Sequence, residues 1–181
     1  RGNIWKGEYR DPITALKYFT KAVDINPNYY RAIYKMAECY VSLQNIEEAE
    51  RQYMRIVQIL QARRYKQILR PMEIEYLYKT YKNLAKIERN DHNNINGAIS
   101  YYENAEYLWN QICDNQDSYD FCSGFKNVIR KANSDIINKQ YELLKDKLKI
   151  SQIYDNLCTL YSQISNHEKA KIYEELLKKE G

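Results

Sequence analysis

Apolar positions along this chain fall at helical intervals of three and four almost from end to end, and one arrangement of them returns at a fixed distance. Ala15, Phe19 and Ala22 recur 34 residues later as Ala49, Tyr53 and Ile56, each time a small residue, an aromatic, then an apolar residue. A fixed period of this length marks a stack of helical pairs, each too thin to bury its apolar face alone. Asp11-Pro12 reads as an N-cap followed by proline in the first helical position, which predicts a helix to about Ile25. Asn26-Pro27-Asn28 breaks it. A second helix is predicted from about Tyr29 to Leu43, with Ile33, Met36, Ala37 and Tyr40 on one face. Gln44-Asn45 turns the chain, and a third helix begins near Ile46.

Downstream the period loosens. Ala98, Tyr102 and Ala105 repeat the small-aromatic-apolar pattern, and Tyr81, Leu84 and Ala85 repeat the face that precedes it. Ala98 nevertheless lies 49 residues beyond Ala49, 15 more than one period. Nothing between Gln61 and Arg70 stops a helix, and Tyr65, Ile68 and Leu69 continue the apolar face. The surplus is therefore read as extended helices meeting at Arg70-Pro71, with Pro71 opening the second. Asn90-Asp91-His92-Asn93-Asn94 is turn chemistry. Asp114 to Ser123 is read as a loop. Phe121, Phe125, Val128, Ala132, Ile136, Leu143 and Leu144 fall at helical spacing and predict one long helix, with a degenerate repeat as the alternative. Tyr154, Leu157, Cys158 and Tyr161, then Ala170, predict a last repeat in which Glu174 stands where the aromatic belongs and Tyr173 comes one residue early.

Ile33-x-x-Met36-Ala37-x-x-Tyr40 followed by Ala49-x-x-x-Tyr53-x-x-Ile56 resembles a complete tetratricopeptide repeat. Ala15-x-x-x-Phe19-x-x-Ala22 with Pro27 resembles the second helix of the repeat before it, and Gly2-x-x-Trp5 the end of that repeat's first helix. The resemblance implies an all-α fold, a right-handed α-α superhelix of antiparallel pairs with about eight helices. It is expected to form a single domain over 1–181: regular repeats over 1–61, an extended pair over 62–113, the long irregular helix over about 118–148 and the last repeat over about 150–180. It also implies a non-catalytic interaction module that holds a protein or peptide partner in its concave groove.

Composition agrees with a helical protein, since 5 glycines and 3 prolines are few and β-branched runs are missing. No apolar stretch approaches the roughly 20 residues of a membrane span. The opening Arg-Gly-Asn-Ile-Trp has no initiator Met and no signal-peptide pattern, so the chain is expected to be a piece of a larger protein. Cys39, Cys113, Cys122 and Cys158 show no C-x-x-C spacing, and the histidines are His92 and His167 alone. Reduced thiols in a cytoplasmic protein without a metal are the expectation, and a Cys113–Cys122 bridge is the minor alternative. No phosphate loop, H-E-x-x-H, G-x-S-x-G or paired-carboxylate constellation appears, so no enzyme and no cofactor is expected. Both histidines are expected to be exposed and polar.

Charge sharpens the picture. The chain carries +4, yet from Gln61 to Asn90 eight Lys or Arg (63, 64, 66, 70, 79, 82, 86, 89) face three Glu (73, 75, 88), a balance of +5. Lys79, Lys82, Lys86 and Arg89 are spaced 3, 4 and 3, one helix face that no Asp or Glu is expected to share. The resemblance puts that stripe on groove positions, with Arg31, Tyr34, Glu38 and Val41 at the corresponding places of the preceding repeat and Gln152, Asp155, Thr159 and Ser162 in the last. The expected partner is an acidic or mixed peptide held by Lys79, Lys82, Lys86, Arg89, Arg31 and Tyr34. Three readings stay open beside it: an ordinary solvated face, the sensor or autoinhibitory arm of a nucleotide-switch ATPase or peptide-responsive regulator, and RNA binding through the basic region. One subclass of these repeats clamps a C-terminal carboxylate with Lys and Asn side chains. Asn83 fits that set, but Tyr34 and Glu38 stand where its first Lys and Asn belong. Tyr40, Tyr53, Tyr81, Tyr102, Tyr154 and Tyr161 fill packing slots, which leaves Tyr29, Tyr30, Tyr34, Tyr76 and Tyr78 to line a groove.

Overall fold

A computed structural model of the chain describes residues 11–64, 69–118, 139–140 and 142–180. Its helices are α1 (Pro12–Ile25), α2 (Tyr30–Ser42), α3 (Ile46–Arg64), α4 (Pro71–Asn90), α5 (Ile95–Ser118), α6 (Ser151–Gln163) and α7 (His167–Glu180). Residues 142–148 are helical too, and no strand occurs among the described residues. The fold is an all-α helical repeat, as the period predicts. By contact the chain divides into two compact units, Arg1–Asn94 and Ile95–Gly181.

In the first unit, α1 starts where the sequence says it should. The Asp11 carboxylate accepts from the Thr14 N–H at 3.1 Å, and Pro12, which has no N–H to lose, takes the first helical position. α2 packs between α1 and α3, and α3 packs on α4. Ala37, Ala49 and Ala85 are fully buried, which is what lets neighbouring backbones approach, while Ile33, Ile56, Leu60, Leu77 and Leu84 fill the space beside them. The first copy of the repeated pattern is less enclosed: Ala15, Phe19 and Ala22 are half-buried, and Val23 is the buried residue of α1.

The turn inside the helical pair is itself repeated. Gln44 takes a left-handed φ of 59°, the Asn45 N–H reaches back to the Tyr40 carbonyl at 2.9 Å, and the Asn45 side chain accepts from the Glu48 N–H at 3.2 Å. In the second unit Ser165 has φ 58°, the Asn166 N–H reaches Tyr161 at 2.9 Å, and Asn166 accepts from the Lys169 N–H at 3.2 Å. One backbone reversal followed by one Asn cap ends the first helix and starts the second in both copies.

The passage from α3 to α4 is held by a buried charge. α3 runs to Arg64, residues 65–68 lie outside the described residues, and Leu69 and Arg70 are non-helical before Pro71 opens α4. Glu73, third in α4 and only 2% exposed, accepts from the Arg63 guanidinium at 2.7 Å and from the Arg70 N–H at 2.9 Å. The same guanidinium lies 5.5 Å over the Tyr30 ring, so one side chain ties α2, α3 and α4.

In the second unit, Ala98, Tyr102 and Ala105 of α5 are buried, as are Ile153, Leu157 and Leu160 of α6. The loop expected from Asp114 does not begin there. Residues 114–118 continue α5, because their polar side chains include no Gly or Pro to end it. Most of the long helix expected over 118–148 lies outside the described residues, Phe121, Phe125, Val128, Ala132 and Ile136 included, as do Gly2, Trp5, Tyr65 and Ile68. Leu144 and Leu148 are buried. In α7 the shifted aromatic takes the slot: Tyr173 is buried and Glu174 is exposed. The Tyr173 ring stacks on Tyr161 at 5.8 Å, and its hydroxyl donates to Glu106 at 2.8 Å.

Replacing Arg63 with Ala strands the Glu73 carboxylate in the interior. We expect a loss of about 3 kcal/mol in urea unfolding, and a smaller loss for Glu73→Gln, which leaves no buried charge behind.

Candidate functional site

The site is built on α4. Ile74, Leu77, Tyr78, Tyr81, Leu84 and Ala85 make its buried face, at the helical spacing the repeat requires. Beside them Lys79, Lys82, Lys86 and Arg89 are all half-buried. The stripe is not free of acids. Glu75 lies one turn before Lys79 and pairs with it at 2.6 Å, an i, i+4 carboxylate–ammonium contact. The Lys82 ammonium lies 5.8 Å over the Tyr78 ring. Burial pushes the Lys86 ammonium below the ordinary lysine range.

The cations gather around Tyr76, and here two helices contribute. The rings of Tyr30 and Tyr34, from α2, meet the Tyr76 ring edge-on at centroid distances of 5.5 and 5.1 Å. Lys79 stands 5.9 Å over the Tyr76 ring. On α2 the exposed Arg31 has its guanidinium raised above its usual range, chiefly by the Tyr76 hydroxyl. The structure thus brings Arg31, Tyr34 and Lys79 together around one phenol, while Lys82, Lys86 and Arg89 continue along α4.

Tyr34 is not an open contact. It is buried, packed edge-on against Tyr53 at 5.7 Å, and its hydroxyl accepts from the Asn83 amide at 3.1 Å. Tyr78 is likewise buried, so of the five tyrosines left for a groove these two belong to the core. Tyr30 and Tyr76 are half-buried and Tyr29 is exposed. Elsewhere on α2, Glu38 is taken by Lys35 at 2.8 Å and Val41 is buried. The sequence leaves Tyr76 among the groove tyrosines without singling it out, and counts Arg63 only as one charge of the basic window. For Tyr76 the signal was present, in its i, i+3 spacing to Lys79. Arg63 had none, because its partner lies across a helix junction.

The remaining candidates are structural. His92 Nε2 meets a Glu50 carboxylate oxygen at 2.9 Å, joining the turn after α4 to α3, and exposed His167 opens α7. No cluster of three or more His, Cys, Asp or Glu able to hold a metal occurs among the described residues. Cys39 and Cys158 are free thiols, and burial pushes Cys39 up to about 11. The side chains of Cys113 and Cys122 lie outside the described residues. Among the described residues no helix is long and apolar enough to cross a membrane.

Antiparallel helix pairs with small residues at the crossings, and a polar face formed by first helices, define a helical-repeat protein. Residues 8–70 match the tetratricopeptide repeat family. It is 30% identical over 87 residues, 48% of its length, to the DnaJ homolog subfamily C member 7 of Mus musculus. The match spans 17% of that relative. No solved structure matches the chain significantly. The repeat is in general a non-catalytic protein–protein interaction module.

The Glu50 contact raises the His92 pKa, chiefly through the hydrogen bond. A raised folded value means the contact's stabilisation is complete below about pH 6.5 and is lost as pH rises through the folded pKa. An NMR titration should place the His92 midpoint above 6.5, and Glu50→Gln should bring it back down.

Proposed function

We propose that this chain binds an acidic or mixed peptide segment on the face formed by α2 and α4, the groove of the repeat. The observation that carries the reading is the convergence of Arg31 and Lys79, from two helices, on the aromatic cluster at Tyr76, continued along α4 by Lys82, Lys86 and Arg89. An ammonium group held over a ring keeps its charge toward solvent while the ring offers an apolar floor. That combination suits a chain that alternates carboxylates with apolar side chains. It suits an RNA backbone less well. Arg63 is committed to Glu73 and Lys79 to Glu75, so the face presents fewer cations than its sequence count suggests. The free thiols and the absence of catalytic motifs fit a non-enzymatic role in the cytoplasm.

Reversing Arg31 and Lys82 together to Glu tests the reading without touching the core. Fluorescence anisotropy with a labelled Glu-rich peptide containing aromatic residues should show affinity reduced about tenfold or more, with an unchanged helical circular dichroism spectrum. Unchanged affinity overturns the proposal. Tighter, steeply salt-dependent binding of single-stranded RNA by the wild type would move the face to the other class.

A further inference from the structure

Asn83 lies on α4 one turn beyond Lys79. Its amide is already spent. Nδ2 donates to the Tyr34 hydroxyl at 3.1 Å and to the Tyr53 hydroxyl at 2.9 Å. An amide nitrogen carries two N–H groups, so both donors point into the protein. Both acceptors are buried phenols, Tyr34 on α2 and Tyr53 on α3, the latter 1% exposed. One side chain on α4 therefore pins three helices at a single point.

That point is linked to the cations by packing. Tyr34, fixed through its hydroxyl, sets its ring edge-on against Tyr76, which carries Lys79 over its face and whose neighbouring hydroxyl raises the Arg31 guanidinium above its usual range. We infer that Asn83 is a positioning residue: through Tyr34 and Tyr76 it fixes the relation between the α2 cation Arg31 and the α4 cation Lys79, and it does not itself contact the ligand. The affinity consequence rests on the peptide-binding reading of this face. The geometric consequence does not, so the two are separable.

The experiment has a ligand-free arm and a binding arm, both run on the whole chain at a temperature where every variant is fully folded. In the first, the Lys79 side-chain methylene protons are followed by NMR, since a chain lying over the Tyr76 ring is shifted upfield by its ring current. Asn83→Leu, and separately Tyr34→Phe with Tyr53→Phe, should each move those shifts toward the values of an unstructured lysine. Shifts that stay in place in both variants overturn the inference whether or not any peptide binds.

In the second arm, anisotropy with the labelled Glu-rich peptide should show affinity reduced about fivefold or more in each variant, and no further loss when the three substitutions are combined, as expected of one network. A ligand-contacting Asn83 predicts otherwise. The two phenylalanines would then release its amide and leave affinity unchanged or higher, which also overturns the inference. Lowered melting temperature with affinity and ring-current shifts intact would make the network merely structural, again against it. If the wild type binds no acidic peptide, the functional reading fails while the first arm still decides the role of Asn83.

Discussion

A phenol ring buried between helices brings a hydroxyl with it, and that hydroxyl has to find a partner. This chain has 19 tyrosines and 3 phenylalanines, so the constraint recurs at nearly every aromatic packing slot. Leaving a buried hydroxyl unpaired costs about 1–3 kcal/mol, comparable to what burying a good apolar side chain gains. At five of these hydroxyls the structure meets the cost with polar groups from neighbouring helices. Asn83 serves Tyr34 and Tyr53, Gln61 serves Tyr81 at 2.9 Å, Glu103 accepts from Tyr161, and Glu106 accepts from Tyr173. Each of these bonds joins different helices. Apolar packing resists sliding only weakly, whereas a hydrogen bond is lost within an ångström or so. The tyrosines therefore set the register of their helices as well as filling the core.

The two units meet the demand with different chemistry. In the first, neutral amides donate and the phenols accept, so no charge enters the core at these points. In the second, the phenols donate to carboxylates, and Lys169 completes the set by donating to the Tyr161 hydroxyl at 2.9 Å and to Glu103 at 3.2 Å while lying 4.8 Å over the Tyr161 ring. Burial raises the Glu106 carboxyl, with the Tyr173 hydrogen bond opposing it. The second unit is thereby charge-dependent in a way the first is not. The first unit has its own buried charge, Glu73, but uses it at a helix junction and matches it with both a guanidinium and a backbone N–H.

What the sequence made legible follows from this division. Small, aromatic and apolar residues at helical spacing report burial whatever lies opposite, so the bounds of α1 and α2 and the packing roles of Ala37, Ala49, Tyr53, Leu84 and Ala85 could be read directly. Hydroxyl partners could not, because Asn83 is 49 residues from Tyr34 and Glu106 is 67 from Tyr173, and no local pattern joins them. The same holds for Arg63 and Glu73, which face each other only because the chain reverses between α3 and α4. Glu75 is a different case: its i, i+4 relation to Lys79 is local and legible in the sequence. Tyr173 shows the converse. The expected register of the family put an aromatic one position later, but burial chose the ring that was present.

The basic window takes its meaning from these pairings. As a count, its charges looked like one electrostatic feature. In the structure Arg63 is a structural tie, Lys79 is paired with Glu75, and Lys86 sits where burial disfavours its charge. A surface of this kind cannot act through net charge alone, because at physiological ionic strength interactions beyond about 8 Å are largely screened. What remains effective at short range is the placement of particular cations on particular rings. Arg31 and Lys79 meet at Tyr76 only while α2 and α4 keep their register, and that register is held from beneath by an uncharged amide between two phenols. The recognition chemistry of this face is therefore a consequence of how its core tyrosines are satisfied.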